Sequence, residues 1–263
     1  MKNKILVPIL LVFLISCSNH IGYDVKPGNE AFILGNNSET GVLLTHGFEA
    51  SPHEVREFAQ SLADKNITVY VVRLKGHGTD IRELDNTEWQ DWHKEYEKGY
   101  DELSKKTKKV FVAGHSLGGA LALYLAEKKD TAGVISLASP IGLKDKRAEY
   151  AWLIKYFKKY EPINLTIEEK QYYYDKYSAA AVEQFVNFIE VYKKDLPKVT
   201  EPVLIMQLSN DTKIESDSAN YIYKNIESKN KSIIIISATG HGMFKEPYKN
   251  RVYEEVYKFV KRA

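Results

Sequence analysis

Lys109-Val110-Phe111-Val112-Ala113-Gly114-His115-Ser116-Leu117-Gly118-Gly119-Ala120 is the stretch that decides the fold. Val110 to Ala113 reads as a short buried strand, and Leu117 to Lys129, apolar at Leu121, Leu123 and Leu125, reads as a helix. Between them stands Gly-x-Ser-x-Gly, with Gly114 and Gly118 on either side of Ser116. A serine at the apex of a sharp strand-to-helix turn sits at strained backbone angles, and the turn closes only if the flanking positions lack side chains. Such a turn lifts the hydroxyl clear of the sheet and makes Ser116 the candidate nucleophile. The five-residue pattern is weak by itself; its place at a strand-helix junction gives it meaning.

Outward from this turn, apolar runs recur at Ala31 to Leu34, Val42 to Thr45, Thr68 to Arg73, Gly133 to Ala138, Val203 to Leu208 and Ser232 to Ser237. Most are nearly continuous rather than alternating, as in strands buried on both faces. Helical segments lie between several of them, at His53 to Asp64, Glu88 to Lys105, Asp217 to Ile226 and Asn250 to Val260. The alternation predicts an α/β fold with a mainly parallel central sheet flanked by helices. From Ile141 to Thr200 it stops, giving way to a Tyr- and Lys-rich stretch with helical signals and no convincing buried strand. This predicts a small helical cap insertion at about 141–200. Its many aromatics suit it to covering a site, and most are expected to pack the insert on the sheet rather than touch substrate.

A chain of 263 residues, 44% hydrophobic, suffices for one domain with an inserted cap. The formal charge is +2, and the chain without Lys2 and Lys4 carries 35 basic and 35 acidic residues, so no nucleic-acid footprint is visible. Those two lysines precede an apolar run from Ile5 to Ile15, which ends in Leu14-Ile15-Ser16-Cys17 before polar Ser18-Asn19-His20. This is the layout of an export signal, and the run is shorter than the roughly 20 residues of a membrane-spanning helix. Leu-Ile-Ser-Cys resembles the bacterial lipobox, where cleavage precedes a cysteine that is then acylated. We therefore expect residues 1–16 to be a lipoprotein signal peptide, 17–30 a tether and 31–263 the folded domain. Lipidated Cys17 would anchor the exported protein to a membrane of the cell envelope. Cys17 is also the only cysteine, so no disulfide forms within the chain.

A serine hydroxyl needs a base to take its proton and a carboxylate to orient that base. Where the serine sits at such a turn, the chain order is serine, acid, histidine. Of seven histidines only His241 follows Ser116, in the glycine-flanked Gly240-His241-Gly242 after the last strand. Asp211 stands out among the acids because it closes the run Pro202 to Asp211, a buried strand entering a polar turn; Glu215 and Asp217 are its rivals. Two backbone N–H groups are needed for the oxyanion, one from the residue after the serine, Leu117, and one from the loop after the third strand. That loop reads Leu43-Leu44-Thr45-His46-Gly47-Phe48 and offers Phe48; His46 is expected to pack beside the sheet edge. The histidines are scattered and no paired cysteines occur, so no metal is expected.

From about Gly41 to Lys261 the sequence resembles the small bacterial carboxylesterases of the α/β-hydrolase superfamily, related to monoacylglycerol lipases. The landmarks are Gly41-Val42-Leu43-Leu44-Thr45-His46-Gly47-Phe48, Arg73-Leu74-Lys75-Gly76-His77-Gly78, Gly114-His115-Ser116-Leu117-Gly118-Gly119, Asn210-Asp211, Asp217 to Tyr223, and Gly240-His241. The resemblance implies a cofactor-free serine esterase with Ser116, Asp211 and His241 as its triad and a cap over an acyl pocket. It would cleave short- to medium-chain esters, or a monoacylglycerol or other lipid ester at the membrane surface. A reading of another class is a surface binding lipoprotein that keeps the fold without turnover.

Overall fold

The computed structural model describes residues 23–167 and 169–262; Cys17 and the expected signal peptide lie outside them. Among the described residues nine strands are present: β1 (Phe32–Leu34), β2 (Thr40–Thr45), β3 (Thr68–Val72), β4 (Lys109–His115), β5 (Gly133–Leu137), β6 (Tyr160–Pro162), β7 (Lys176–Ser178), β8 (Val203–Asp211) and β9 (Lys231–Gly240). The same described residues form eight α-helices: α1 (Arg56–Ala63), α2 (Ile81–Leu84), α3 (Trp89–Leu103), α4 (Leu117–Ala126), α5 (Ala151–Ile154), α6 (Ala179–Asp195), α7 (Ser218–Asn225) and α8 (Lys249–Arg262). Seven strands form the central sheet in the order β1-β3-β2-β4-β5-β8-β9, parallel throughout except for edge strand β1.

The inner strands of this sheet read as continuous apolar runs because both of their faces are covered, and alternate residues serve opposite layers. Leu43, Val112 and Ile205 join the core beneath α3, α4, α6 and α7, whereas Val42, Phe111 and Leu204 join the core beneath α1 and α8. Helix α8 is amphipathic, burying Val252, Tyr253, Val256 and Val260. Helix α4 is different: all ten of its residues are buried. It lies against the sheet on one side, while α6 sets Phe188 against Tyr124 on the other. An apolar helix at the centre of the fold holds the Ser116 turn rigid, since each fully buried Leu contributes roughly 1.5–3 kcal/mol.

Between β5 and β8 the stretch 141–200, expected as a small helical insertion, carries helices α5 and α6. Besides α5 and α6 it contains an antiparallel ribbon, β6 with β7, registered Tyr160 to Ser178 and Pro162 to Lys176. Three-residue strands of Tyr, Glu, Pro, Lys and Ser, mostly half-buried, carry no apolar alternation, so the ribbon has no sequence signature. Helix α6 buries Phe185, Phe188, Ile189 and Tyr192 in the main core. The segment is also stitched to the body by polar contacts. Tyr160 Oη and Ser178 Oγ donate to Asp85 at 2.6 and 2.5 Å, and Tyr174 Oη donates to Gly76 O at 2.8 Å.

At the other end, Lys26 N donates to Gly78 O at 2.9 Å and Ser51 Oγ to Asn29 Oδ1 at 2.6 Å, so part of the expected tether lies on the body. Among the described residues no helix is long and apolar enough to cross a membrane.

Candidate active site

Register assembles the site. Strands β2 and β4 pair with Thr45 opposite Gly114, so the loops that leave them, His46-Gly47-Phe48 and His115-Ser116-Leu117, emerge side by side. A Cβ built on Gly47 would lie 3.5 Å from Ser116 Cβ. The first of these loops follows the second strand here, not the third. Strands β8 and β9 run on beyond their shorter neighbour β5 until Asp211 pairs with Gly240. The acid and the residue preceding His241 therefore meet at the same edge of the sheet.

Ser116 has φ 53° and ψ −114° and is 5% exposed. Positive φ in a non-glycine residue costs of order 1–3 kcal/mol and persists only where the surroundings impose it. Here Ser116 N–H donates to Leu137 O at 2.7 Å, and Ser116 O accepts from the N–H groups of Gly119 and Ala120. The glycines are steric necessities: a Cβ on Gly114 would stand 2.1 Å from the Gly118 carbonyl carbon, and one on Gly118 would stand 2.7 Å from Thr45 O. Leu117 is the first residue of α4, where a helix leaves its N–H groups without intrahelical acceptors. In the facing loop, Gly47 N–H is taken by Glu54 Oε2 at 2.8 Å, and Phe48 follows it.

Asp211 is fully buried, and His241 Nδ1 stands 2.8 Å from its Oδ2 and 3.0 Å from its Oδ1. Oδ1 also accepts the N–H groups of Lys213 at 2.8 Å and Ile214 at 3.1 Å. Burial alone would raise the carboxyl pKa, but the His241 hydrogen bond and charge, with those two N–H groups, hold it below its usual value. An ionised Asp211 only accepts, so the proton sits on His241 Nδ1 and the Nε2 lone pair is left free. Among the described residues no hydrogen bond joins Ser116 Oγ to the His241 ring; apo sites often close this contact only around substrate. The rival acids are elsewhere. Glu215 pairs with Lys146 at 2.6 Å, and Asp217 precedes α7 and accepts from Asn220 at 3.0 Å.

Burial lowers the His241 pKa from its ordinary 6.5, more than Asp211 raises it. The neutral ring is the form able to accept a proton, and as the candidate base His241 would stay competent on acidification until the pH falls through this lowered value. We expect the acid limb of kcat/KM on a soluble ester to have its midpoint below pH 6.5. A midpoint above 6.5 would contradict this environment for His241.

His46 is buried and neutral, driven down to about 4 by burial; its Nε2 accepts Leu74 N–H at 3.3 Å. What sequence reasoning did not single out is a second layer. Glu54, on the short helical turn Pro52–Val55, faces His115 Nδ1 at 3.2 Å and accepts from Tyr173 Oη. His115 lay in plain sight within the motif, yet nothing in the sequence pairs positions 54, 115 and 173. Among the described residues no group of three or more His, Cys, Asp or Glu is placed to hold a metal ion.

The fold and this turn define an α/β-hydrolase of the serine type. The serine aminopeptidase S33 family matches residues 36–162. Over 223 residues the chain is 31% identical to a thermostable monoacylglycerol lipase of Bacillus sp. (strain H-257), covering 83% of this chain and 89% of that one. It is 25% identical over 229 residues to a carboxylesterase of Bacillus subtilis (strain 168), covering 85% and 93%. A solved structure from work on LipS and LipT, two metagenome-derived lipolytic enzymes, superposes with a TM-score of 0.86 at 24% identity, covering 91% of this chain and 100% of that one. The monoacylglycerol lipase of Paleococcus ferrophilus gives 0.77 at 17% identity, covering 89% and 98%. The chain belongs to the carboxylesterase and monoacylglycerol lipase-like family of α/β-hydrolases, and it is a serine hydrolase of esters.

Proposed function

We propose that the chain hydrolyses short- to medium-chain carboxylic esters through an acyl-enzyme on Ser116. The observation that carries this reading is the buried Asp211–His241 pair at the edge of the sheet where the strained Ser116 turn also emerges. His241 Nε2 takes the Ser116 proton as Oγ attacks the ester carbonyl, and Asp211 stabilises the imidazolium that forms. The oxyanion is met by the N–H groups of Leu117 and Phe48, each such donor being worth roughly 3 kcal/mol in the transition state. As the carbonyl re-forms, the bond to the alcohol oxygen breaks and His241 returns its proton to the departing alcohol. Water then attacks the acyl-enzyme by the same steps in reverse roles, and free Ser116 is regenerated. No step calls for a metal or cofactor. Residues 141–200 act as the cap over the acyl pocket.

A second reading, a monoacylglycerol or other lipid ester taken at a membrane surface, is favoured by one feature. Six of the eight exposed large hydrophobic side chains among the described residues, Tyr150, Trp152, Leu153, Tyr156, Phe157 and Ile167, fall in this cap. The relative named a monoacylglycerol lipase points the same way. Cys17, acylated after cleavage of residues 1–16, would hold the protein at an envelope membrane, because two acyl chains give stable anchoring.

Rates on soluble esters of graded acyl length and on monoacylglycerol in vesicles separate the two readings. An optimum among short and medium soluble esters is expected; a monoacylglycerol rate tenfold above the best of them would select the lipid reading. No hydrolysis of any ester would overturn both. Mass spectrometry of the mature N-terminus should find acylated Cys17, and an intact Met1 would end the lipoprotein assignment.

A further inference from the structure

Behind the proposed triad lies a buried carboxylate that the reaction as drawn does not use. Glu54 is 6% exposed and His115 is 1% exposed, and they face each other Oε1 to Nδ1 at 3.2 Å. Glu54 Oε2 accepts Gly47 N–H at 2.8 Å, in the loop that carries Phe48. Its Oε1 also accepts from Tyr173 Oη of the cap segment. The other ring nitrogen of His115, Nε2, lies 3.1 Å from the backbone oxygen of His241. One side-chain pair thus touches the oxyanion loop, the cap, the strand leading to Ser116 and the loop bearing the base.

Proton accounting fixes its charge state. The His241 carbonyl can only accept, so His115 Nε2 carries a proton. An ionised Glu54 can only accept, so His115 Nδ1 carries one as well. The ring is then an imidazolium whose two donors are both satisfied.

We propose that Glu54 and His115 form a charged positioning pair that sets the His241 loop and the Phe48 loop in register around Ser116 and places a fixed cation beside the catalytic imidazole. This rests on the Ser116, Asp211 and His241 reading. Burial opposes the charge of each partner, but each overcomes that for the other: the His115 pKa is raised, and the Glu54 pKa is held down at about 2 by His115, Tyr173 and Gly47 N–H. The His115 and His241 rings are 4.9 Å apart between centroids. The charged groups around His241 are therefore Asp211 from β8, His115 from the end of β4 and Glu54 from the turn before α1. Asp211 and Glu54 favour its protonation, and His115 opposes it. An imidazolium at this distance keeps His241 in its neutral, proton-accepting form.

The test compares Glu54→Gln, His115→Gln and the double variant by kcat, KM and the pH profile of kcat/KM, with urea midpoints to confirm folding. Because the pair acts on geometry at the reacting atoms, kcat should fall about 10- to 100-fold with KM within about twofold, as expected for misplacement by an ångström or less. In His115→Gln the acid limb should move to higher pH, because His241 loses its cationic neighbour and keeps both carboxylates. The double variant should be no worse than the worse single one, since the residues act as a unit. Should Glu54→Gln fail to fold, kcat and the acid limb of His115→Gln decide. Folded variants with parental kcat and an unmoved acid limb, or additive losses in the double variant, would overturn the proposal. A fluorophosphonate adduct on Ser116 of the parent keeps that failure distinct from failure of the triad itself.

Discussion

Replacing His241 with alanine is expected to lower kcat on a soluble ester by roughly 10⁴- to 10⁶-fold, the loss seen when a triad base is removed. The reason is specific to this site. The Asp211 carboxylate is fully buried and accepts three donors, two of them backbone N–H groups and the third His241, the one we propose carries a proton to and from the ester. Without the imidazole, Ser116 must lose its proton to water, and a serine hydroxyl is a weak nucleophile at neutral pH. Ser116→Ala should cost a similar factor, and the two losses should not add, because both groups serve one step. Residual turnover above the uncatalysed rate is expected to survive from the Phe48 and Leu117 N–H groups. A His241→Ala protein within tenfold of the parent would show that the proton leaves by another route.

Gly114→Ala should destabilise the folded protein by about 3 kcal/mol or more, which is a large part of the stability of a typical domain. Overpacking is often relieved by rotating a side chain, but here the obstacle is backbone. The new Cβ would meet the carbonyl carbon of Gly118 at 2.1 Å, its oxygen at 2.3 Å and its Cα at 2.6 Å. Relief requires α4 to move away from β4, and every residue of α4 is buried. A urea midpoint measured by circular dichroism checks this. A parental midpoint would mean that the strand and helix are not packed as closely as the Ser116 turn requires.

The inner strands were legible in the sequence because they are buried on both faces and stand out as apolar runs, and edge strands β1 and β9, only partly covered, were marked by their apolar composition. Arg73 and Ala138 overshoot β3 and β5 by one residue each, and Leu208 and Ser237 fall three residues short of the ends of β8 and β9, which continue through mostly polar residues. The turn at Ser116 was legible because it demands glycine on both sides, and the contact of His241 with Asp211 because His241 is the one histidine downstream of that turn. The cap was less so. Its ribbon is held by backbone pairing between polar residues, which leaves no periodicity, and α6 earns its place through contacts with α3 and α4 that lie far off in sequence. The Glu54 contacts are of the same kind, since they join residues 61 and 119 positions apart. A single sequence holds no sign of such meetings until the sheet register brings the loops together.

The most direct test of the account is to treat the protein with a fluorophosphonate and map the adduct by peptide mass spectrometry. A single adduct on Ser116 is predicted, absent from Ser116→Ala and slowed by orders of magnitude in His241→Ala. An adduct on any other residue, or equal labelling of Ser116→Ala, would contradict it.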